Sequence, residues 1–520
     1  MRDPASLAAH PLARRLVPPV LLAVMAGLLV TSSLHKRLVY DEYDNLSYGH
    51  RFLSKGPGVS PEGQRMPVLV LNAVACLPDG CELAAVNADE GERLGVRAGS
   101  MVFALGLAAL IAAWAARLFG PVAGLAALWL AVFDPTLLAH GKQVTSDVAV
   151  AALMTAAVYA FWRWREAGQT GWLAAATLAT AAALLSKLTA LLLLPIFGGL
   201  LAVEAIHAWR AGRRPTAASV ARGIALAAAA ALTVLFLVNA AYGFRGTLRL
   251  AGSHAWKSRL FQEHVRAPVP IPLPRVFVQS LDYSSYLQEN PELARGYNYL
   301  LGELNRDGRW YAFPLMVLLK TPLALLVLAA MGLRAPRPSG LVPLLAIPFA
   351  AVMLVFSLAV DPQLGIRYVL PALPFLTLAA ARGASFLDGR RRWVVPVLLG
   401  WQAVSVLSYT PHYVPYFNEL IGRRVNAYRY LADSNLDWED HRYWIAAFQR
   451  RHPERHVQVD PPGPRRGWIL VGANDLVGIF EPERYRWLRE GYSPVAHVAY
   501  AHLLFHVSGT PQQDEGGEAE

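Results

Sequence analysis

The sequence predicts an all-α polytopic membrane protein of about eleven transmembrane helices, with a small α+β soluble domain at its C-terminal end. The composition is 55% hydrophobic and 16% charged, with a mean hydropathy of +0.32, which leaves too few polar side chains to cover a soluble globule of 520 residues. A hydrocarbon layer about 30 Å thick needs roughly 20 apolar residues per helix, and runs of that kind recur as far as residue 409. From about 412 onward Arg, His, Asp, Glu and Pro rise, and no later run is long enough to cross a bilayer.

The expected spans are 15–34, 99–117, 121–133, 147–165, 172–186, 188–209, 222–242, 310–331, 341–360, 367–382 and 393–409. The first follows Arg14 and Arg15, is longer than a signal-peptide core and meets no small-residue cleavage site, so it reads as a retained anchor. Arg2, Arg14, Arg15, Arg117, Arg163, Arg165, Arg210, Arg213, Arg214, Arg334, Arg337 and Arg390 to Arg392 fall on one side, which the positive-inside rule makes cytoplasmic. Connections 134–146, 186–187 and 361–366 are poor in cations and face outward, as do the long loops 35–98 and 243–309. The expectation is a multi-pass protein of the inner (plasma) membrane, with its N-terminus cytoplasmic and its C-terminal domain extracytoplasmic. Its net charge of +11 is accounted for by cytoplasmic loops and anionic headgroups, so membrane lipids rather than nucleic acid are the expected partners.

Three regions follow: a transmembrane domain over 1–410, an extracytoplasmic domain over 411–510 and an acidic, disordered tail over 511–520. In the second, 424–450 has helical periodicity, whereas 467–480 and 495–508 read as strands. The two cysteines, Cys76 and Cys81, flank a Leu-Pro-Asp-Gly turn in an outward loop and are a candidate disulfide; two unrelated thiols are the alternative.

Directly after the first span, YDEYDNLSYGHRFLSKG sets the carboxylates Asp41 and Glu42 at the membrane surface and continues as an amphipathic helix. Asp41, Asn45 and Tyr48 share one face of it. Acids at a lipid–water boundary are costly to desolvate, which favours a working carboxylate; acids stabilising a helix N-terminus are the plainer explanation. The second outward connection, FDPTLLAHGKQVTSDVAV, offers Asp134 and Asp147, and N-capping alone would explain the latter. Lys187 interrupts LLSKLTALLLLP and Arg367 interrupts DPQLGIRYVLP, both at outer helix ends where snorkelling is the alternative. Carboxylates and cations on one face suit transfer from a lipid phosphate: cations hold the leaving phosphate while a carboxylate takes the acceptor's proton. In DSNLDWED, Asp433, Asn435, Asp437 and Trp438 offer a sugar or acceptor surface, or a helix cap.

The Asp-Glu pair, the TSD of the second loop, LLSKLTALLLLP, LLKTPLALL, IRYVLPALPF and HYVPYFNELIG…YRYLADSNLDW together resemble the GT-C superfamily, nearest its protein-mannosyltransferase-like and aminoarabinose-transferase-like enzymes. The resemblance runs from about 15 to 445. It implies inverting transfer from a polyprenyl-phosphate sugar donor to a glycan, lipid or protein acceptor. It further implies Asp41 as base with Glu42 beside it, Asp147 assisting the acceptor or a divalent cation between Asp41 and Asp147, and Lys187 and Arg367 on the carrier phosphate. Arg245, Lys257 and Arg259, with Tyr283, Tyr286, Tyr297 and Tyr299, would cover the cavity. The 243–309 connection is too short for the large extra domain of many protein O-mannosyltransferases, which counts against a protein acceptor.

His452 and His456 have metal-ligand spacing, but Pro453 between them breaks the helix that would align them. The chain lacks an Asp-x-Asp motif, which favours a lipid monophosphate donor over a nucleotide sugar. A transporter or flippase would show related halves with interrupted helices, and none is visible here. A glycan transferase using a diphosphate carrier stays open as a second alternative.

Overall fold

The computed structural model describes residues 11–57, 67–76, 82–265, 267–290, 293, 296–334, 340–385 and 393–509. The 511–520 tail, Cys81 and the side chain of Cys76 lie outside them, as do Arg2, Arg337 and Arg390 to Arg392.

Helix occupies each of the eleven expected spans, and five of the helices are long and apolar enough to cross a bilayer unaided: Arg15–Ser33, Glu90–Phe119, Leu188–Arg210, Ala217–Ala241 and Leu341–Ala359. The rest are shorter, interrupted or, as with the 21-residue Asp147–Ala167, less apolar. Pro121–Val132, Thr170–Leu184 and Val394–Leu407 are short apolar helices. The span expected at 310–331 is two helices, Ala312–Lys320 and Leu323–Arg334, bent by 110° at Thr321–Pro322. Pro322 supplies no N–H to continue the first helix, and the Asn418 amide takes up the freed carbonyls, donating to Leu318 O at 2.6 Å and Thr321 O at 2.8 Å. The span at 367–382 opens as a 3-10 turn, Ile366–Ala372, before Leu373–Ser385 continues as α-helix.

The Asp147–Ala167 helix runs through the bundle, buried along its first turns, and its 21 residues span about 30 Å. Its two ends differ in chemistry. At its C-terminal end Arg117 pairs with Glu166 and Arg165 with Glu204, each at 2.8 Å and well exposed; at the opposite end stands Asp147. Leu323–Arg334 and Leu373–Ser385 touch backbone to backbone: a Cβ at Gly332 would collide with Ala379 O, and one at Gly383 with Leu328 O.

The described part of loop 35–98 holds the helix Tyr40–Lys55 and the short helices Val70–Ala73 and Leu83–Ala88, and the helix of the second expected span starts at Glu90, nine residues before its expected membrane entry. Loop 243–309 carries the helix Arg275–Glu289 and two short antiparallel strand pairs. The C-terminal region builds a four-stranded sheet in the order 458–459, 467–472, 502–507, 496–498, its first pair parallel and the others antiparallel. Three expected elements differ. The strand expected at 467–480 ends at Gly472, because Ala473 N bonds to Ala501 O and the chain turns into the helix Ala473–Val477. The strand expected at 495–508 is a hairpin turned by Ala499 and Tyr500, both at positive φ. Within 424–450, α-helix begins only at Arg442, preceded by 3-10 turns.

Among the described residues two large apolar cores result, beside three smaller clusters. One lies inside the helical bundle, among Met25, Leu29, Trp114, Leu130, Val158, Leu325 and Leu378. The other joins the bundle to the sheet: Phe313, Met316, Phe356 and Ile366 pack with Ile469, Val471 and Phe505.

Candidate active site

Four chain segments bring their charges to one end of the bundle. Asp41 occupies the first turn of Tyr40–Lys55, Asp147 the first residue of its helix, Lys187 the break between Thr170–Leu184 and the turn Leu188–Leu192, and Arg367 the 3-10 turn of Ile366–Ala372. Arg367 Nη1 donates to Asp41 Oδ2 at 2.9 Å and stands 3.9 Å from Asp147 Oδ2. Lys187 Nζ donates to Asp147 Oδ1 at 2.5 Å. The result is a chain of alternating charge, Asp41–Arg367–Asp147–Lys187.

Accessibility separates the two carboxylates. Asp147 is 3% exposed, whereas the Asp41 side chain is 36% exposed. Asp147 is therefore the buried counter-ion of both cations, and Asp41 is the more accessible of the two carboxylates. Arg367 Nε is buried and has no hydrogen-bond partner among the described residues, which leaves a donor for a further acceptor. Its guanidinium lies over the Trp438 ring, 3.9 Å from the centroid, and Tyr368 stands beside both Arg367 and Lys187. The Arg367 turn is fixed by the C-terminal segment, where Asn435 Oδ1 accepts Ile366 N at 3.0 Å and Ser434 Oγ donates to Leu364 O at 2.7 Å.

Glu42 takes a different place from Asp41. It is fully buried and receives Arg97 through both oxygens, at 2.9 and 2.8 Å, with further bonds from Val39 N and Val144 N. Its hydrogen-bonding capacity is thus committed to holding the Asp41 helix against Glu90–Phe119 and the second loop. Asn45 adds to this grip through Val144 O at 2.8 Å. Tyr48 is buried, with its ring 6.0 Å from Phe52. Arg245 bonds across to Pro57 O in loop 35–98, whereas Lys257, over Tyr283 at 5.0 Å, and Arg259, whose backbone N donates to Glu289 at 2.7 Å, engage their own loop. Asp437 faces away from its neighbour Trp438, toward His441 at 3.8 Å.

Sequence reasoning missed His140 and Glu439, and it placed Asp433 only on the sugar or acceptor surface of DSNLDWED. His140, in the second loop, has its ring 5.6 Å from Trp438, and burial pushes its imidazole down to about 4. Asp433 stands near Arg367 and Asp41, and burial pushes its carboxyl up to about 6 against the pull of Ser434 N and Arg367. Glu439 binds Lys142 at 2.5 Å and Lys36 at 2.6 Å, all three side chains 2% exposed, which clamps the Trp438 segment to the end of the first helix and the second loop. A cavity of about 400 Å³ lined by Trp162, Arg165, Glu204 and His207 includes none of these residues.

A crystal structure of ArnT from Cupriavidus metallidurans bound to undecaprenyl phosphate aligns with 94% of this chain and 97% of its own, at a TM-score of 0.50 and 13% identity. The fold is of the GT-C type. The apo crystal structure of the same ArnT aligns over the same shares at 13% identity and a TM-score of 0.48. Residues 88–238 match the model of the family described as dolichyl-phosphate-mannose-protein mannosyltransferase. That stretch holds Asp147 and Lys187, while Asp41, Arg367 and Trp438 come from outside it. No curated protein matches the chain by sequence.

Proposed function

We propose that this GT-C protein transfers a sugar from a polyprenyl-phosphate donor to an acceptor hydroxyl, with inversion at the anomeric carbon, at the extracytoplasmic face of the inner membrane. The observation that carries the reading is the Asp41–Arg367–Asp147–Lys187 constellation: one accessible carboxylate next to two cations whose counter-ion is buried. ArnT, the structural relative, is described with undecaprenyl phosphate bound; a phosphate of that kind matches the unpartnered Arg367 Nε and the Lys187 ammonium.

In this mechanism the carrier phosphate draws Arg367 away from Asp41, which frees the carboxylate as a base. The acceptor oxygen attacks the anomeric carbon, its proton passes to Asp41, and the bond from that carbon to the phosphate oxygen breaks. The leaving polyprenyl phosphate gains a negative charge, which Arg367 and Lys187 stabilise because they are already oriented toward it. Trp438, with its ring centroid 3.9 Å from the guanidinium, keeps water off that side of Arg367 and limits its movement. Asp147 stays ionised as the fixed partner of both cations. Were a divalent cation to join, Asp41 and Asp147 would be its ligands; with Arg367 and Lys187 already neutralising both carboxylates, the cluster has no spare negative charge for one.

The test supplies purified protein with radiolabelled polyprenyl-phosphate mannose, glucose and aminoarabinose and an envelope extract as acceptor source. Wild type should consume one donor, and Asp41→Asn should slow turnover by roughly 10²–10⁴-fold, the usual worth of a general base, while still binding carrier. Undiminished turnover in Asp41→Asn would remove Asp41 as the base. Failure to consume any of the three would shift the assignment to diphosphate-linked donors or to transport.

A further inference from the structure

Behind Trp438 lies a second group of polar side chains that the transfer reaction does not use. We infer that Asp437, His441 and His502 form a binding site for one divalent transition-metal ion of the zinc class, with Asp475 at its edge as an additional oxygen donor.

The three residues each offer one donor atom, and these atoms lie within 4.8 Å of one another. Two imidazoles and a carboxylate are a ligand set that zinc favours over calcium or magnesium, which prefer all-oxygen cages. A tetrahedral zinc with bonds of about 2.0–2.1 Å sets its ligand atoms roughly 3.3 Å apart, so binding needs only a small inward rotation of the side chains.

The hydrogen-bond inventory points the same way. His441 is 3% exposed, and neither of its ring nitrogens has a hydrogen-bond partner among the described residues. Nδ1 of His502 is likewise buried without one. An imidazole always carries at least one N–H, and leaving buried polar groups unpaired costs about 1–3 kcal/mol each, so an unfilled pair of histidines facing a carboxylate needs an occupant. The backbone leaves room for one. Gly472 sits directly across the ladder from His502, and a Cβ there would come within 3.1 Å of Asp437 Oδ2 and 3.7 Å of both Asp475 Oδ2 and His502 Nε2. Donors from three chain segments thus converge on the side chain that glycine lacks. Asp460 adds negative charge nearby while its Oδ1 accepts Gly472 N at 3.2 Å. His452 is not part of the group, since its Nδ1 pairs with Glu454 at 3.3 Å.

An ion here would tie the 437–441 segment to the central strand His502–Val507 and, through Asp475, to the helix that follows strand Gly467–Gly472. Trp438 and Glu439 lie inside that segment, one on Arg367 and the other on Lys36 and Lys142. The ion is therefore a positioning element, and His441 and His502 are positioning residues rather than catalytic ones.

The experiment uses tag-free full-length protein in detergent, equilibrated with zinc, freed of excess metal and assayed for bound metal by mass spectrometry. Wild type should retain about one zinc per chain. His502→Ala should lose it, whereas His452→Ala keeps it, and a chelator should lower the Tm of wild type but not of His502→Ala. Should His502→Ala fail to fold, cobalt(II) added to wild type decides, because a four-coordinate site gives strong visible absorption bands. Wild type that holds no zinc and shows no cobalt bands overturns the site, as does His502→Ala with an undiminished zinc content.

Discussion

At the scale of single residues, the molecule separates charges that work from charges that hold. Glu439 belongs to the second kind, because burial would raise its carboxyl but Lys142 and Lys36 overcome that and hold it well below the usual carboxylate range. Removing one partner of a buried ion pair costs about 3–5 kcal/mol, so Glu439→Gln, which leaves two buried ammoniums facing no charge, should lower stability by that order in a chemical-unfolding titration. The pH dependence has a definite sign. A carboxylate depressed in the folded state contributes stability above its unfolded value of about 4.3 and loses it as the pH falls through the folded value, so the acid-side decline of Tm should be shallower in Glu439→Gln than in wild type. An equal slope would show that the clamp is uncoupled from folding. Asp41, Asp147, Lys187 and Arg367 were legible in the sequence because each charge interrupts or borders an apolar run. Lys36, Lys142 and Glu439 were not, since their pairing spans 297 and 403 positions and no local pattern announces it. Glu42 looked equivalent to Asp41 for the same local reason; only its neighbour across 55 positions, Arg97, tells them apart.

At the scale of elements, helices were legible and their breaks were not. Apolar length marks a span, but the bend at Thr321–Pro322 depends on Asn418 arriving from the far end of the chain to cap the exposed carbonyls. The strand that stops at Gly472 depends likewise on Ala501. The close crossing of Leu323–Arg334 and Leu373–Ser385 rests on Gly332 and Gly383, whose missing side chains let two backbones meet where lipid offers no hydrophobic drive to association. Gly383→Val should therefore force the helices apart and cost about 1–3 kcal/mol as overpacking. Gly400, with nothing within 4 Å of a built Cβ, supplies the contrast: Gly400→Ala should leave Tm unchanged or slightly raised. Thermal scans of both variants in one detergent test the pair, and equal Tm losses would refute the assignment of the crossing to glycine contact.

At the scale of the whole molecule, the site exists because two bodies of structure share a core. The composition turns more polar near 412, yet Phe313, Met316 and Phe356 of the bundle pack directly on Ile469, Val471 and Phe505 of the sheet. Lys320, at the end of its helix, donates to Val414 O at 2.6 Å and Asn435 O at 2.5 Å across the same seam. The sequence shows each side's apolar periodicity but not which apolar face meets which, so this seam could not be read from it. Its consequence is mechanical: a disturbance inside the sheet should reach the Arg367 turn, whose neighbour Ile366 lies in the shared core and is bonded to Asn435. Phe505 is fully buried, and Phe505→Ala should cost about 3–5 kcal/mol. Hydrogen exchange followed by mass spectrometry gives the discriminating readout, because regions that open together lose protection together. In Phe505→Ala, peptides covering Ala312–Lys320 and Ile366–Ala372 should exchange faster along with the strands, while Ala217–Ala241, which contributes nothing to this core, keeps its wild-type protection. Strands that loosen while 312–320 and 366–372 stay protected would mean that the sheet is an appendage and that Trp438 reaches Arg367 without it.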